Sequence, residues 1–330
     1  MTLPIFKKAA TSHWRQIQRE NFTCAQKLAD FLHLNEENRN LLASSPRFKL
    51  NLPRRLAAKM AKNDLSDPLF RQFVPLIEEE MEKEGYTAEP LCDTSFQKEK
   101  KLLHKYHGRV LLVATSACAM HCRFCFRQNF PYETQSIGFT SEIDYIRQHP
   151  EITEVILSGG DPLSLSDDTL SLLLSALGEI SHVKRIRFHT RFPIGIPERI
   201  DESFLTLLSR CVKQLYFIIH CNHPLELDEE VIDSLRKIAS LGIPLLNQSV
   251  LLKGVNDDEK TFLALCEALT NAGVIPYYLH LHDRVKGTSH FEVPDERGRE
   301  LIRYVQQHLS GYGVPRLVRE EPGASSKTYI

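Results

Sequence analysis

Two rhythms of apolar and polar positions divide the chain near residue 100. Before that point the spacing is helical: Trp14, Ile17, Phe22, Ala25, Leu28, Ala29 and Leu32 fall close to one face of a helix over residues 14–32. Pro53 then precedes RRLAAKMAKND, where Leu56 and Met60 sit among basic side chains as in an amphipathic helix, and Pro68 opens a further segment running to Gly85. Residues 1–100 are therefore predicted to form a helical N-terminal region. The basic positions Arg54, Arg55, Lys59 and Lys62 read as a solvated helix face.

After residue 108 short β-branched and aromatic runs take over: RVLLVAT (109–115), EVILSGG (154–160), KRIRFHT (184–190), QLYFIIH (214–220), PLLNQSVLL (244–252) and IPYYLHLHD (275–283). Between the later runs lie segments such as DEEVIDSLRKIASLG and DDEKTFLALCEALTNAG, which open on acidic capping residues and close on glycine. Strand and helix alternate without a hairpin signal, which implies a parallel sheet crossed by helices, an α/β fold. Six units suit a partial (β/α)6, TIM-like barrel over residues 101–330, although the alternation alone also admits a doubly wound sheet. In a barrel, chemistry gathers at the C-terminal strand ends. Here those ends carry Cys118–Cys125, Gly159–Gly160–Asp161–Pro162, His189–Thr190–Arg191, His220 with His223, and Asp283.

Composition narrows the partners. The 330 residues are 42% hydrophobic, enough for a large core, and 41 Lys and Arg balance 42 Asp and Glu, a formal charge of -1. That balance gives no electrostatic reason to expect a nucleic acid or an anionic membrane. The opening MTLPIFKKAATSHWRQIQREN breaks any apolar leader, and no run approaches the roughly 18 apolar residues of a membrane helix. A cytoplasmic protein acting on a small molecule is expected. Eight cysteines are too few for a disulfide scaffold. Cys24, Cys92, Cys211, Cys221 and Cys266 read as small core residues.

The remaining three cysteines stand in TSACAMHCRFCFRQN with the spacing C-x3-C-x2-C, at Cys118, Cys122 and Cys125. Three thiolates on one short loop suit three irons of a cubane cluster and leave the fourth open to a ligand. A structural zinc site would need a second cysteine pair or further histidines, and His121 is the single histidine in the motif. The spacing, with Phe124 before the last cysteine, resembles the radical S-adenosylmethionine superfamily, in which that cofactor chelates the open iron. SGGDPL (158–163) resembles the glycine-rich element beside the cofactor's methionine moiety, which implicates Ser158, Gly159, Gly160 and Asp161 in cofactor binding.

From about residue 100 onward the chain resembles the lysine 2,3-aminomutase family within that superfamily. In PRLVREEPGASSKTYI an acidic residue, Pro–Gly, small residues and a lysine occur in the order of that family's pyridoxal-phosphate element, so Lys327 resembles the lysine that carries pyridoxal 5′-phosphate. The resemblance further implies that Arg109 binds the cofactor phosphate, that Gln248 in NQSVLLKGVND lies near it, and that Arg127 pairs with the substrate carboxylate. Asp283, in HDRVKGTSHF, and Glu320 would hold the distal ammonium of L-lysine. Glu320 stands where better-known members have aspartate. Asp258 replaces an upstream cysteine and the cysteine-bearing tail beyond the lysine is missing, so no zinc site is predicted. The shorter architecture looks like the branch that makes (R)-β-lysine for elongation factor P, which a separate ligase attaches.

The implied chemistry uses a [4Fe–4S] cluster, reduced by a cellular electron donor, to cleave S-adenosylmethionine to a 5′-deoxyadenosyl radical; the nitrogen then migrates from the α- to the β-carbon. A homo-oligomer is compatible with this reading. Competing readings are a radical aminomutase for another amino acid or for peptide-bound lysine, and a non-catalytic iron–sulfur electron-transfer protein. Arg284 either competes for Asp283 or points away from it.

Overall fold

The structure is a computed structural model that describes residues 12–133 and 138–330. The leader reading of the first eleven residues lies outside the described part. Ten strands form one sheet in chain order: β1 (Gln97–Glu99), β2 (Leu102–Tyr106), β3 (Arg109–Thr115), β4 (Glu154–Gly159), β5 (Arg185–Thr190), β6 (Gln214–Ile219), β7 (Leu245–Val250), β8 (Ile275–His280), β9 (Arg316–Arg319) and β10 (Thr328–Tyr329). Strands β3 to β9 pair in parallel, while β1–β2, β2–β3 and β9–β10 pair antiparallel.

Sequential order decides between the two topologies left open by the sequence. Right-handed crossovers that always step in the same direction keep their helices on one face, so the sheet curls with that face outward. A doubly wound sheet would reverse its order midway. Among the described residues the sheet remains open, with β1 and β10 at its edges, as a partial TIM-like barrel does.

The six predicted strands are all present, and Arg316–Arg319 adds a seventh to the parallel array. The antiparallel start has no signal in the sequence, because QKE and LLHKY are too short and too charged to show a period. The outer face packs on helices through Leu112, Leu157, Phe188, Phe217 and Leu279, all fully buried. The inner positions of β5, Arg187 and His189, alternate with Ile186, Phe188 and Thr190 of the outer face and are only partly enclosed. Polar side chains thus line a lumen.

The N-terminal region departs from the expectation of one helix over residues 14–32. It forms His13–Arg19 and Ala25–Phe31, because Phe22 pairs with Leu52 in an isolated antiparallel bridge that pulls the chain out of helix between them. The Pro68 helix ends at Phe73, before the expected Gly85. Arg55 and Lys59 are not free on a solvated face: both pair with Asp228, at 2.9 and 2.8 Å. Trp14, Leu28 and Phe70 share one core with Leu170, Phe204 and Phe217 of the barrel. Of the cysteines expected in the core, Cys221 and Cys266 are buried, but Cys24 and Cys92 are exposed.

Candidate active site

The cysteine loop leaves the C-terminal end of β3 and is held from both sides. On one side Gly160 N–H donates to Thr115 O at 2.6 Å and Asp161 N–H to Ala117 O at 2.7 Å, joining the β4 end to the loop backbone. This approach needs glycine: a Cβ on Gly160 would run into the Ala117 carbonyl, and Gly159 has φ +111°. On the other side lies the N-terminal region. Asn51 and Asn21 donate to Cys118 O and Ala119 O at 3.2 and 2.8 Å, and His121 stacks on Phe48 with its Nδ1 2.7 Å from Lys49 O. Arg123, with a fully buried side chain, donates through Nε to Glu79 Oε1 and through Nη1 to Phe48 O, both at 2.7 Å. No local pattern announces these residues, since the partners of His121 and Arg123 lie 44 to 75 positions away.

The loop's chemistry suits iron. Burial pushes all three thiols up, Cys118 well above its ordinary value and Cys125 to about 11, with neighbouring thiols adding to the effect at these two. At Cys122 the Arg191 guanidinium, 3.0 Å away, opposes the rise. Buried thiolates need more positive charge than one arginine offers, and iron supplies it. Among the described residues no three His, Cys, Asp or Glu side chains converge as they would on a single ion.

Asp161 has its carboxylate turned to the neighbouring strand end. It accepts from Thr190 Oγ1 at 2.8 and 2.9 Å, from Arg191 N–H at 2.8 Å and from Leu163 N–H at 3.0 Å, while burial raises it to about 6. Its visible work is to tie the β4 end to the β5 end. Ser158 sits below, its Oγ 3.4 Å from Arg127 Nη1.

A second cluster of charge occupies the lumen. Lys327 Nζ donates to Glu320 Oε2 at 2.5 Å, and buried Lys105 donates to Oε1 at 2.9 Å. Burial opposes the Glu320 charge, yet these two ammoniums hold its carboxyl well below the usual range. The Lys327 pairing follows from β9 and β10 running antiparallel, which sets Thr328 opposite Arg319 and brings the lysine beside the glutamate. Asp283 makes no side-chain hydrogen bond among the described residues. Burial, reinforced by the negative charge of Glu320, raises it to about 7. Arg284 settles its own alternatives by pairing with Glu292 at 3.0 Å, away from Asp283.

Arg127 is buried and bound through Nε and Nη2 to Asp93, at 3.0 and 2.9 Å, a partner the sequence does not reveal. Arg109 lies over the Tyr106 ring at 4.7 Å and makes no ion pair among the described residues. Gln248 shares the inner side of β7 with partly enclosed neighbours. His189, His220 and His280 each present a buried Nε2 without a partner. Burial holds all three imidazoles neutral, with Lys327 among the cations that reinforce this. Three buried imidazole nitrogens without a partner, in the field of the Lys327 ammonium, suit a polar ligand in the lumen. Asp258, in place of the family's upstream cysteine, caps the helix Glu259–Asn271 by accepting from Thr261 N–H at 2.9 Å.

The sequence profile described as the Radical SAM superfamily matches residues 112–266, the span of the cysteine loop and the first five parallel strands. A crystal structure of a radical SAM methyltransferase from Sphaerobacter thermophilus shares the fold with a TM-score of 0.50 at 16% identity, over 66% of this chain and 68% of that one. Fold and cysteine loop together define a radical SAM enzyme, and membership implies a [4Fe–4S] cluster and S-adenosylmethionine. L-lysine 2,3-aminomutase of Haemophilus influenzae is 39% identical over 320 residues, 96% of this chain and 95% of that protein. L-lysine 2,3-aminomutase of Escherichia coli K12 is 40% identical over 311 residues, 93% of this chain and 91% of that protein. The chain belongs to the L-lysine 2,3-aminomutase family and is an isomerase.

Proposed function

We propose that this enzyme converts L-lysine to β-lysine, with the cluster on Cys118, Cys122 and Cys125, S-adenosylmethionine beside Ser158, Gly159, Gly160 and Asp161, and pyridoxal phosphate on Lys327. The observation that carries the reading is the meeting of Lys327, Glu320, Lys105 and Asp283 in one lumen, in a chain of this family. When bound, the cluster and S-adenosylmethionine supply a hydrogen-abstracting radical, and pyridoxal phosphate carries the migrating nitrogen.

The residues explain the choice of a dibasic substrate. Lys105 keeps one oxygen of Glu320 whatever Lys327 does. Once Lys327 turns to its cofactor, Glu320 Oε2 and the Asp283 carboxylate are left as two acceptors for one ammonium. The distal ammonium of lysine then replaces that of Lys327, cation for cation, without leaving a buried charge unpaired. At the other end Asp93 fixes Arg127 by one edge and leaves Nη1, loosely engaged by Ser158, for the substrate carboxylate. Arg109 and Gln248 suit the cofactor phosphate. Holding lysine at both ends presents a single carbon to the radical.

The resemblance supports the (R) configuration for the product and its transfer to elongation factor P by a separate ligase, and the pattern of apolar positions supports a cytoplasmic setting and the partition into a helical region over 1–100 and a core over 101–330. The test is anaerobic incubation of cluster-reconstituted protein with dithionite, S-adenosylmethionine, pyridoxal phosphate and L-lysine, followed by chiral mass spectrometry. (R)-β-Lysine is expected from the native chain and none from Lys327→Ala. Cleavage of S-adenosylmethionine by pyridoxal-loaded native protein without any β-lysine would overturn free lysine as the substrate.

A further inference from the structure

Arg191, just beyond β5, has no part in the roles above, yet it is among the most tightly held side chains of the site. Its main-chain N–H donates to Asp161, and its Nη2 donates to Gln72 Oε1 and Glu226 Oε2, both at 2.7 Å. Glu226 is fully buried and is itself fixed by the N–H groups of Asn222 and His223, each at 3.0 Å. The guanidinium lies against the rings of Phe73 and Phe124, at 4.7 and 5.4 Å. Held in this way, it aims Nη1 at Cys122 Sγ from 3.0 Å.

The geometry points to Arg191 as the residue that sets how readily the cluster accepts its electron, through a hydrogen bond to the Cys122 sulfur. The inference rests on the cluster occupying the three cysteines. One electron from an external one-electron donor enters the cluster; no bond forms or breaks and no proton moves. The added negative charge spreads onto the sulfurs, so a donor at Sγ stabilises the reduced state more than the oxidised one and raises the potential. Arginine stays charged at any working pH, which keeps the effect independent of proton supply. Glu226 offsets the charge on the far side, so the field at the sulfur is that of a directed N–H group plus a neutral pair. No other side chain among the described residues donates to the sulfur of Cys118 or Cys125, which singles out the iron on Cys122. Hydrogen bonds to three partners and the two rings hold the donor in place, so little reorganisation accompanies electron entry.

The experiment is a redox titration of the reconstituted holoprotein, followed by electron paramagnetic resonance, for the native chain, Arg191→Met, Arg191→Lys and Glu226→Gln. A hydrogen bond to a charged group changes an equilibrium by about tenfold or more. Arg191→Met should therefore lower the ratio of reduced to oxidised cluster at fixed poise about tenfold, roughly 59 mV for one electron. Arg191→Lys should fall between, and Glu226→Gln should shift the other way. Electron–nuclear double resonance in deuterium oxide should show, besides the main-chain N–H of Arg127 at Cys125, an exchangeable proton coupling that Arg191→Met loses and Glu226→Gln keeps. Equal potentials in native and Arg191→Met protein at matched iron content overturn the inference. Should Arg191→Met fail to assemble a cluster, an unshifted Glu226→Gln potential together with no exchangeable coupling in the native protein beyond that of the Arg127 main-chain N–H overturns it equally. A native chain that assembles no cluster at all instead overturns the cluster reading on which both rest.

Discussion

Replacing Asp283 by asparagine should make the empty enzyme more stable above neutral pH, because the native carboxylate is buried beside the like charge of Glu320. The carboxyl titrates at about 7 against an ordinary 3.8: burial opposes its charge first, and repulsion from the Glu320 carboxylate adds to that. The sign follows from where the proton sits. Between about pH 4 and pH 7 the native state keeps a proton on Asp283 that the unfolded chain has lost, so the native state loses stability as the pH rises through that window, and the penalty is complete above it. The displacement corresponds to about 4 kcal/mol as a ceiling. Lumen water reaches the carboxyl in part, so about 1–3 kcal/mol is the working figure. Asp283→Asn should therefore unfold at higher urea than the native chain at pH 8, with the gap narrowing steadily toward pH 5. Saturating L-lysine should stabilise the native protein at pH 8 and leave the variant unmoved. A variant no more stable than the native chain at pH 8, or a gap that does not change with pH, would refute the reasoning.

Three further outcomes follow from the same geometry. Glu320→Gln takes from the ammoniums of Lys105 and Lys327 the carboxylate to which both are hydrogen-bonded, and should cost about 3 kcal/mol in urea unfolding at pH 7; the effect is opposite in sign to that of Asp283→Asn. Gly160→Ala drives a methyl into the Ala117 carbonyl and should reduce iron bound per chain after reconstitution, measured against a native fold by circular dichroism. Arg123→Met removes the donor that joins the cysteine loop to Glu79 and Phe48, and should speed loss of the cluster to a chelator several-fold.

The parallel strands were legible because each is a compact β-branched run bounded by helix caps, and the cysteine loop because its three cysteines fall within eight positions. The N-terminal helices were only half legible: the bridge between Phe22 and Leu52 overrides a helical period that looks continuous from Trp14 to Leu32. Pairings across the sequence were invisible. Asp93 meets Arg127 across 34 positions and Lys105 meets Glu320 across 215, and nothing in the local pattern of either member announces the other. Arg191 stood out at a strand end, but its aim at Cys122 depends on a buried network drawn from three separate segments.

The strictly sequential sheet carries a consequence for biosynthesis. Each parallel strand can dock on the one made just before it, so the barrel can grow by addition at one edge as the chain emerges. Lys327 directly precedes β10, which pairs on β9 at that edge. The cysteine loop, Arg127 and the histidines are thus made before Lys327 reaches them, and the pair of Lys327 with Glu320 closes only as β10 docks on β9.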